Sequence, residues 1–322
     1  MSRYPDGPRE ARRFTEFLHA PHVKGVPFYR PTKTNARLVA EGCGVRTPGL
    51  LALYESPAEV RLDPTVDRLV LKPNNFAARR GVFLLRREAG GRYFDLLTRR
   101  SWTEQEMRGV LNDLLARAGP GKDPTVLAEE FFVGENGAEE IPYDYKLYTF
   151  DGSVEFISQI NRNGSVPEVA FFQRNFEPLE DGHVRPQGGL RRGQHRRPRN
   201  WEEMLDTAGR ISRHLDTPFI RVDLYTNGVE SVLGELTPRP GGPYHGTYRL
   251  SDLFDAELGA YWRASLHRRG FRAPIVSGLP PVLRKETVRG RLTMVYRLLN
   301  RVLGRLRRLF GRRSTMRSSK WL

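Results

Sequence analysis

Two acids twelve residues apart, Asp223 and Glu235, lie in the apolar runs Phe219-Ile-Arg-Val-Asp-Leu-Tyr and Gly234-Glu-Leu-Thr-Pro-Arg-Pro-Gly-Gly. Val222, Leu224, Val232 and Leu233 favour strand, and Asn227-Gly228 between the runs is a strong hairpin signal. Such a hairpin can bring the carboxylates side by side, with Arg221 on the face of Asp223, because strand residues alternate faces. Two adjacent carboxylates suit a hard divalent cation, and Mg2+ commonly bridges one or two carboxylates to substrate phosphates. The competing arrangement is a plain ion pair between Arg221 and Glu235.

The elements that must position this pair are spread along the chain. Leu69-Val-Leu-Lys-Pro-Asn-Asn-Phe-Ala-Ala-Arg-Arg-Gly-Val-Phe-Leu-Leu reads as strand, loop, strand, with Lys72 ending the first strand and Gly81 opening the second. Thr125-Val-Leu-Ala-Glu-Glu-Phe-Phe-Val-Gly-Glu is an apolar strand entering a short linker. Tyr143-Asp-Tyr-Lys-Leu-Tyr-Thr-Phe-Asp-Gly-Ser-Val-Glu-Phe-Ile is a second hairpin, turning at Asp151-Gly152. Upstream, Thr32-Lys-Thr-Asn-Ala-Arg-Leu-Val-Ala-Glu-Gly forms a short helix that stops on glycine and exits to Pro48.

Taken in order, the Lys33 helix, the Lys72-Pro strand and loop, the Glu-Glu-Phe-Phe linker and the Arg-x-Asp and Glu hairpin resemble the ATP-grasp superfamily over about residues 24 to 270. Asp144-Tyr-Lys-Leu-Tyr-Thr-Phe-Asp-Gly, Arg221-Val-Asp-Leu-Tyr and Gly234-Glu-Leu-Thr are most similar to its TupA-like branch, which is associated with teichuronopeptide and other cell-surface polymer synthesis. The resemblance implies an α+β fold whose two subdomains sandwich ATP. It implies an N-terminal region at 1–68, a small subdomain at 69–135, a large subdomain at 136–283 and a basic tail at 284–322. It further implies a ligase that joins a carboxylate to an amine through an acyl phosphate. The alternatives are a sugar or polyol kinase on the same fold and a non-catalytic anion-binding scaffold.

By the same resemblance, Lys33 and Lys72 contact the nucleotide phosphates, and Lys146 is a further cation near the reaction. The adenine hinge spans Glu129 to Val133, including Glu130, Phe131 and Phe132, with Glu135, Glu139 or Glu140 at the ribose. Asp223, Glu235 and Thr237 fall at the metal positions, and Arg221 matches the arginine that stabilises the acyl phosphate. Arg162, Arg174, Gly241, Gly242 and His245 are candidates for the acceptor site. Two departures stand out. Many relatives carry Asn where this chain has Thr237, and a hydroxyl is a weaker metal ligand than an amide carbonyl. The loop Asn74-Asn-Phe-Ala-Ala-Arg-Arg-Gly lacks the usual glycines, so Arg79 and Arg80 are expected to grip phosphate with side chains.

Composition bounds the setting. The single Cys43 excludes an internal disulfide and suits a reducing cytoplasm. The polar N-terminus carries no secretory signal, and no run reaches the ~18 apolar residues of a membrane span. Only seven of the 53 basic residues are Lys, and Lys33, Lys72 and Lys146 are three of them. The net charge of +16 is uneven: residues 284–322 hold thirteen Lys or Arg and one acid, leaving +4 for the rest. Val288, Leu292, Val295, Leu299, Val302, Leu306 and Leu309 form a helical stripe there. A basic amphipathic helix suits an anionic membrane surface, which would make a cytoplasmic enzyme peripheral to the inner membrane face; the alternatives are a helical partner in a short coiled coil and packing on the enzyme itself. Nucleic acid is not favoured, since no aromatic interleaving or known motif accompanies the charge. Asp181 to Asn200, rich in Gly, Arg, Pro and His, reads as a mobile basic loop. Nothing in the sequence sets the oligomeric state or the identity of the two substrates.

Overall fold

Sixteen strands and five helices are described below, from a computed structural model that describes residues 8–76, 79–241 and 247–277. The first half runs β1 (Arg9–Glu10), α1 (Phe14–His19), α2 (Lys33–Gly42), β2 (Leu50–Tyr54), β3 (Arg68–Pro73), β4 (Phe83–Arg87), β5 (Tyr93–Asp95), β6 (Arg100–Trp102), α3 (Glu104–Ala118) and β7 (Val126–Glu130). The second runs β8 (Asp144–Phe150), β9 (Ser153–Asn161), β10 (Glu168–Gln173), β11 (Val184–Pro186), β12 (Arg191–Arg192), α4 (Trp201–Leu215), β13 (Ile220–Thr226), β14 (Ser231–Thr237), β15 (Tyr248–Leu250), α5 (Asp252–Arg268) and β16 (Ile275–Val276). Arg9–Val276 forms one compact unit. The expected basic helix at 284–322, and the candidates Gly242 and His245, lie outside the described residues.

Two six-stranded sheets carry the fold. The first sheet has the order β2-β7-β3-β4-β5-β6, antiparallel throughout. Alternation along β3 buries Leu69 and Leu71 against Met107 and Leu111 of α3, and leaves Val70 and Lys72 on the other face. A capping box starts α3: Thr103 Oγ1 accepts from the Glu106 N–H, and Glu106 accepts from the Thr103 N–H.

The larger sheet has the order β12-β10-β9-β8-β13-β14. On one face Leu147, Ile157, Val222 and Leu224 meet Met204, Ala208 and Ile211 of α4, whose 4, 3 spacing makes one helical stripe. On the other face an aromatic cluster, including Phe14, Tyr148, Phe150, Phe156 and Phe219, packs under α1 and α5. Two turns were predicted from Asx-Gly pairs. Asp151 and Gly152 take φ of 52° and 85°, the doubly positive backbone of a tight hairpin. The Asn227-Gly228 connection is longer: Thr226 pairs with Ser231 across a four-residue loop, and Asn227 Oδ1 accepts from the Val229 and Glu230 N–H groups.

The basic segment before α4 also differs from expectation. It lies along the edge of β10, with β12 parallel to it and Gly193 N–H bonded to the Val169 carbonyl at 2.9 Å. Gln159 brackets it by donating to the Gln194 carbonyl at 3.1 Å and accepting from the Arg196 N–H at 2.9 Å. Open backbone groups of an edge strand offer partners that polar composition alone does not reveal.

Candidate active site

Arg221 and Asp223 project from the same face of β13, opposite the α4 core that takes Val222 and Leu224. The Arg221 guanidinium donates from Nε to Asp223 Oδ1 and from Nη2 to Oδ2, both at 2.6 Å. Nη2 also donates to Thr237 Oγ1 at 2.9 Å. Lys146, opposite Asp223 on β8, donates to Asp223 Oδ2 at 2.5 Å and to Asp144 at 3.0 Å. Arg162 closes the row, 3.0 Å from Asp144.

Glu235 joins this face through a bulge. Asp223 pairs with Glu235 while Leu224 pairs with Leu233, so Gly234 is the extra residue. A Cβ on Gly234 would come within 2.5 Å of the Tyr225 ring, so the bulge needs glycine. The Glu235 side chain is 41% exposed against 3% for Asp223, with Lys33 and Arg221 each 3.9 Å away.

Lys33 arrives from the first turn of α2, fixed by Thr32, whose hydroxyl accepts from the Asn35 N–H. Its ammonium donates to the Phe76 carbonyl at 2.5 Å. Buried Asn74 ties this loop to α2 by accepting from the Thr34 N–H at 3.0 Å, and donates to Asp123 at 2.6 Å. Lys72 reaches Glu129 at 2.6 Å, and Arg37 holds the other Glu129 oxygen at 3.1 Å. Arg79 takes φ of 61°, a left-handed conformation rare outside glycine, in the loop where the sequence lacks glycines. Arg80 stacks over Phe76, its guanidinium carbon 5.5 Å from the ring centroid.

The electrostatics follow from this crowding. Burial pushes the Asp223 carboxyl up, opposed by the Arg221 and Lys146 charges. Burial also works against ionised Asp144, but Lys146 and Arg162 overcome it and bring the carboxyl down to about 2. Burial lowers Lys33, with Glu235 opposing and Lys72 reinforcing the shift, which places both ammonium groups in one field. Burial lowers Arg79 and neighbouring Arg162 lowers it further.

The TupA-like ATPgrasp family description matches residues 34–263, most of the chain and all of the cluster just described except Thr32 and Lys33 at its edge. The chain belongs to the TupA-like ATPgrasp family. No curated protein matches it. Solved structures with related folds include the D-alanine–D-alanine ligase of Bacillus anthracis complexed with ATP, 16% identical over 74% of this chain and 67% of that one, with a TM-score of 0.44. The ATP-grasp ligase PsnB with a minimal precursor is 15% identical over 73% of this chain and 59% of its own, with a TM-score of 0.40. An L-amino acid ligase from Bacillus licheniformis is 15% identical over 66% and 41%, with a TM-score of 0.37. The chain therefore spans between two fifths and two thirds of the length of these proteins.

In this TupA-like ATPgrasp protein the hinge candidates separate. Glu130 turns toward the sheet edge and accepts from the Gly49 N–H at 3.1 Å, whereas Glu129 faces Lys72. Phe131 is buried with Arg68 5.9 Å from its ring centroid, and Phe132 is half-buried. Glu135 pairs with Arg199 at 2.6 Å beside the β13–β14 loop, Glu139 pairs with Arg68 and Arg86, and Glu140 accepts from Asn136. Arg174 is not with Arg162: it opens on the α4 side of the sheet. Gly241 follows β14 by four residues. Glu129, expected only as the first hinge residue, and Asp144, expected only as a partner for Lys146, both hold cations of the site. Asp144 was legible as the same-face neighbour of Lys146, two residues away on a strand, but Glu129 required the β3–β7 register.

The donor chemistry fits Mg2+. A carboxylate offers about four lone-pair positions. Asp223 has three filled, by Arg221 twice and Lys146 once, which leaves one on Oδ1 beside the accessible Glu235. Among the described residues no group of three or more His, Cys, Asp or Glu is placed to hold a metal, so water and phosphate oxygens would complete the shell. Thr237 faces the same space with its hydroxyl engaged by Arg221. No helix among the described residues is long and apolar enough to cross a membrane.

Proposed function

We propose that this protein is an ATP- and Mg2+-dependent carboxylate–amine ligase acting in cell-surface polymer or specialised peptide biosynthesis. The observation that carries the reading is the gathering of Lys33, Lys146 and Arg221 on the Asp223–Glu235 pair, extended by Arg162 on neighbouring Asp144 and by Lys72, whose charge acts on Lys33. So many cations around two carboxylates match a tetra-anionic nucleotide with a divalent ion better than they match a neutral ligand. The subdomain boundaries at residues 69, 136 and 284 belong to the same reading.

Lys33 and Lys72 supply charge for the nucleotide phosphates, and Arg79 and Arg80 close over them from the loop. Asp223 and Glu235 would hold Mg2+, which neutralises charge on the transferring phosphoryl group when bound. The acceptor carboxylate oxygen bonds to the γ-phosphorus as the bond to the ADP oxygen breaks. The amine nitrogen then bonds to the acyl carbon, phosphate departs with the acyl–oxygen electron pair, and the amine gives up a proton. Arg221, held rigid by Asp223 and Thr237, presents its guanidinium to the oxygens that gain charge in both steps. Arg162 is suited to orient the acid.

An ADP-release screen across pairs of acids and amines, with products read by mass, tests the reading. ADP release that needs both an acid and an amine supports it. Release with a single hydroxyl substrate would replace it with a kinase.

A further inference from the structure

A cavity of about 420 Å³ opens on the α4 side of the large sheet, lined among others by Arg174, Asn175, Trp201, Asp206 and Arg213. It is separate from the Asp223 cluster. Its floor lies over Val154, which shares a core with Val222 and Leu224, whereas Arg221 and Asp223 alternate to the opposite face. No step of the proposed ligation uses it.

The cavity has a built cationic wall. Gly152, at φ of 85°, and Gly209 of α4 let the helix approach the β8–β9 turn closely: a Cβ on Gly209 would stand 2.8 Å from the Gly152 carbonyl oxygen. The Gly152 N–H is bonded to Ser212 Oγ at 3.0 Å, which locks the approach. Arg213 lies across both glycines, its Cγ 2.9 Å and its Nη1 3.0 Å from where a Gly152 Cβ would sit. Stem and guanidinium are thus both set by packing on the two glycines, within the cavity lining. Arg174 faces it from the end of β10. Among the described residues neither guanidinium has a carboxylate within ion-pair distance, and the one acid on the wall, Asp206, is paired with Arg210 at 3.1 Å. Trp201 adds an apolar wall, and the Arg197 guanidinium carbon lies 5.5 Å from its ring centroid.

We propose that this cavity is a second binding site, for a small oxyanion-bearing organic molecule whose carboxylate or phosphate is forked by Arg174 and Arg213 and whose body lies against Trp201. Two guanidiniums lining one cavity can recognise planar or tetrahedral oxyanions through paired N–H donors, and a neutral ligand would leave both unmet. An indole wall favours a ligand with a flat or apolar body over a bare ion. The site is independent of the nucleotide and of the assignment of the reaction.

Trp201 provides the reporter. Intrinsic fluorescence is titrated with inorganic phosphate and, separately, with citrate, which distinguishes the phosphate from the carboxylate source. A saturable change is expected in the wild type and its absence in Trp201→Phe. Arg174→Gln and Arg213→Gln should each raise the midpoint about tenfold, the worth of one charge-assisted fork. Lys72→Met, on a strand of the other sheet, should leave it unchanged. Arg174 stands on an exposed loop, so its variant keeps the test decisive where Arg213→Gln disturbs the glycine contact. Equal midpoints in the wild type and Arg174→Gln, a midpoint shifted only by Lys72→Met, or no saturation with either anion would overturn the proposal.

Discussion

Arg221 and Asp223, two residues apart on one strand, form a bidentate pair with both N–H···O bonds at 2.6 Å. The guanidinium is buried, and Thr237 holds its free edge. A lysine there keeps the charge but loses the fork. Arg221→Lys should spare ATP binding and reduce turnover by ~2–4 kcal/mol in activation free energy if the fork serves charge formed only in the transition state. Steady-state kinetics checks this. A raised KM with unchanged kcat would make Arg221 a ground-state binder.

Asp223 and Glu235 should separate in stability but not in activity. Both Asp223→Asn and Glu235→Gln are expected to abolish Mg2+-dependent ADP release. Glu235 has its cationic neighbours only at 3.9 Å, so Glu235→Gln should shift stability by less than ~1 kcal/mol. Asp223→Asn leaves Arg221 and Lys146 short of a buried counter-charge and should cost ~3–5 kcal/mol. Urea unfolding and ADP assays on the same preparations decide. Full activity in either variant would remove the metal assignment.

Lys72→Met should lose affinity for a non-hydrolysable ATP analogue in direct titration. Its partner Glu129 keeps Arg37 at 3.1 Å, so the fold should survive. Unchanged affinity would mean that the phosphates bind elsewhere.

Asp255 is buried against Thr15, whose N–H and hydroxyl both donate to it, at 2.9 and 2.6 Å. Burial nevertheless pushes its carboxyl up to about 6 from 3.8. Between those values the folded state holds the proton more often than the unfolded state, so this group's contribution falls as pH rises from about 4 to 6. The loss is on the order of 3 kcal/mol when complete. Asp255→Asn cannot titrate, and its stability relative to the wild type should rise across that window and level off above it. Urea unfolding from pH 4 to 7 measures the difference; a flat difference would place the Asp255 pKa near its ordinary value.

Removal of residues 284–322 should leave turnover of small substrates intact and release the protein from anionic vesicles. Those residues carry +12 of the +16 net charge, and each basic group near an anionic surface is worth ~1 kcal/mol. Co-sedimentation at low and high salt tests it, with binding expected to weaken as salt screens the charges. If the truncated protein instead unfolds, the apolar stripe packs on the enzyme.

Residue chemistry by itself identified the family, because Lys72-Pro, Asp144-Tyr-Lys, Arg221-Val-Asp and Gly234-Glu occur as local phrases in a fixed order. Strand alternation alone put Arg221 with Asp223. The pairing of Asp223 with Glu235 was another matter. A two-residue turn at Asn227-Gly228 would have set Asp223 opposite Val232. The four-residue loop moves the partner to Gly234, and Glu235 would then share the face of Val222, inside the α4 core. Only the bulge at Gly234 turns Glu235 to the face of Asp223, and the Tyr225 ring fills the space that a Gly234 side chain would need. One residue of register reverses every side chain's face, so this site depended on tertiary packing that no local signal encodes. The same reason explains the parting of Arg162 from Arg174: both follow strands of one sheet, and only the placement of α4 assigns Arg174 to the opposite face.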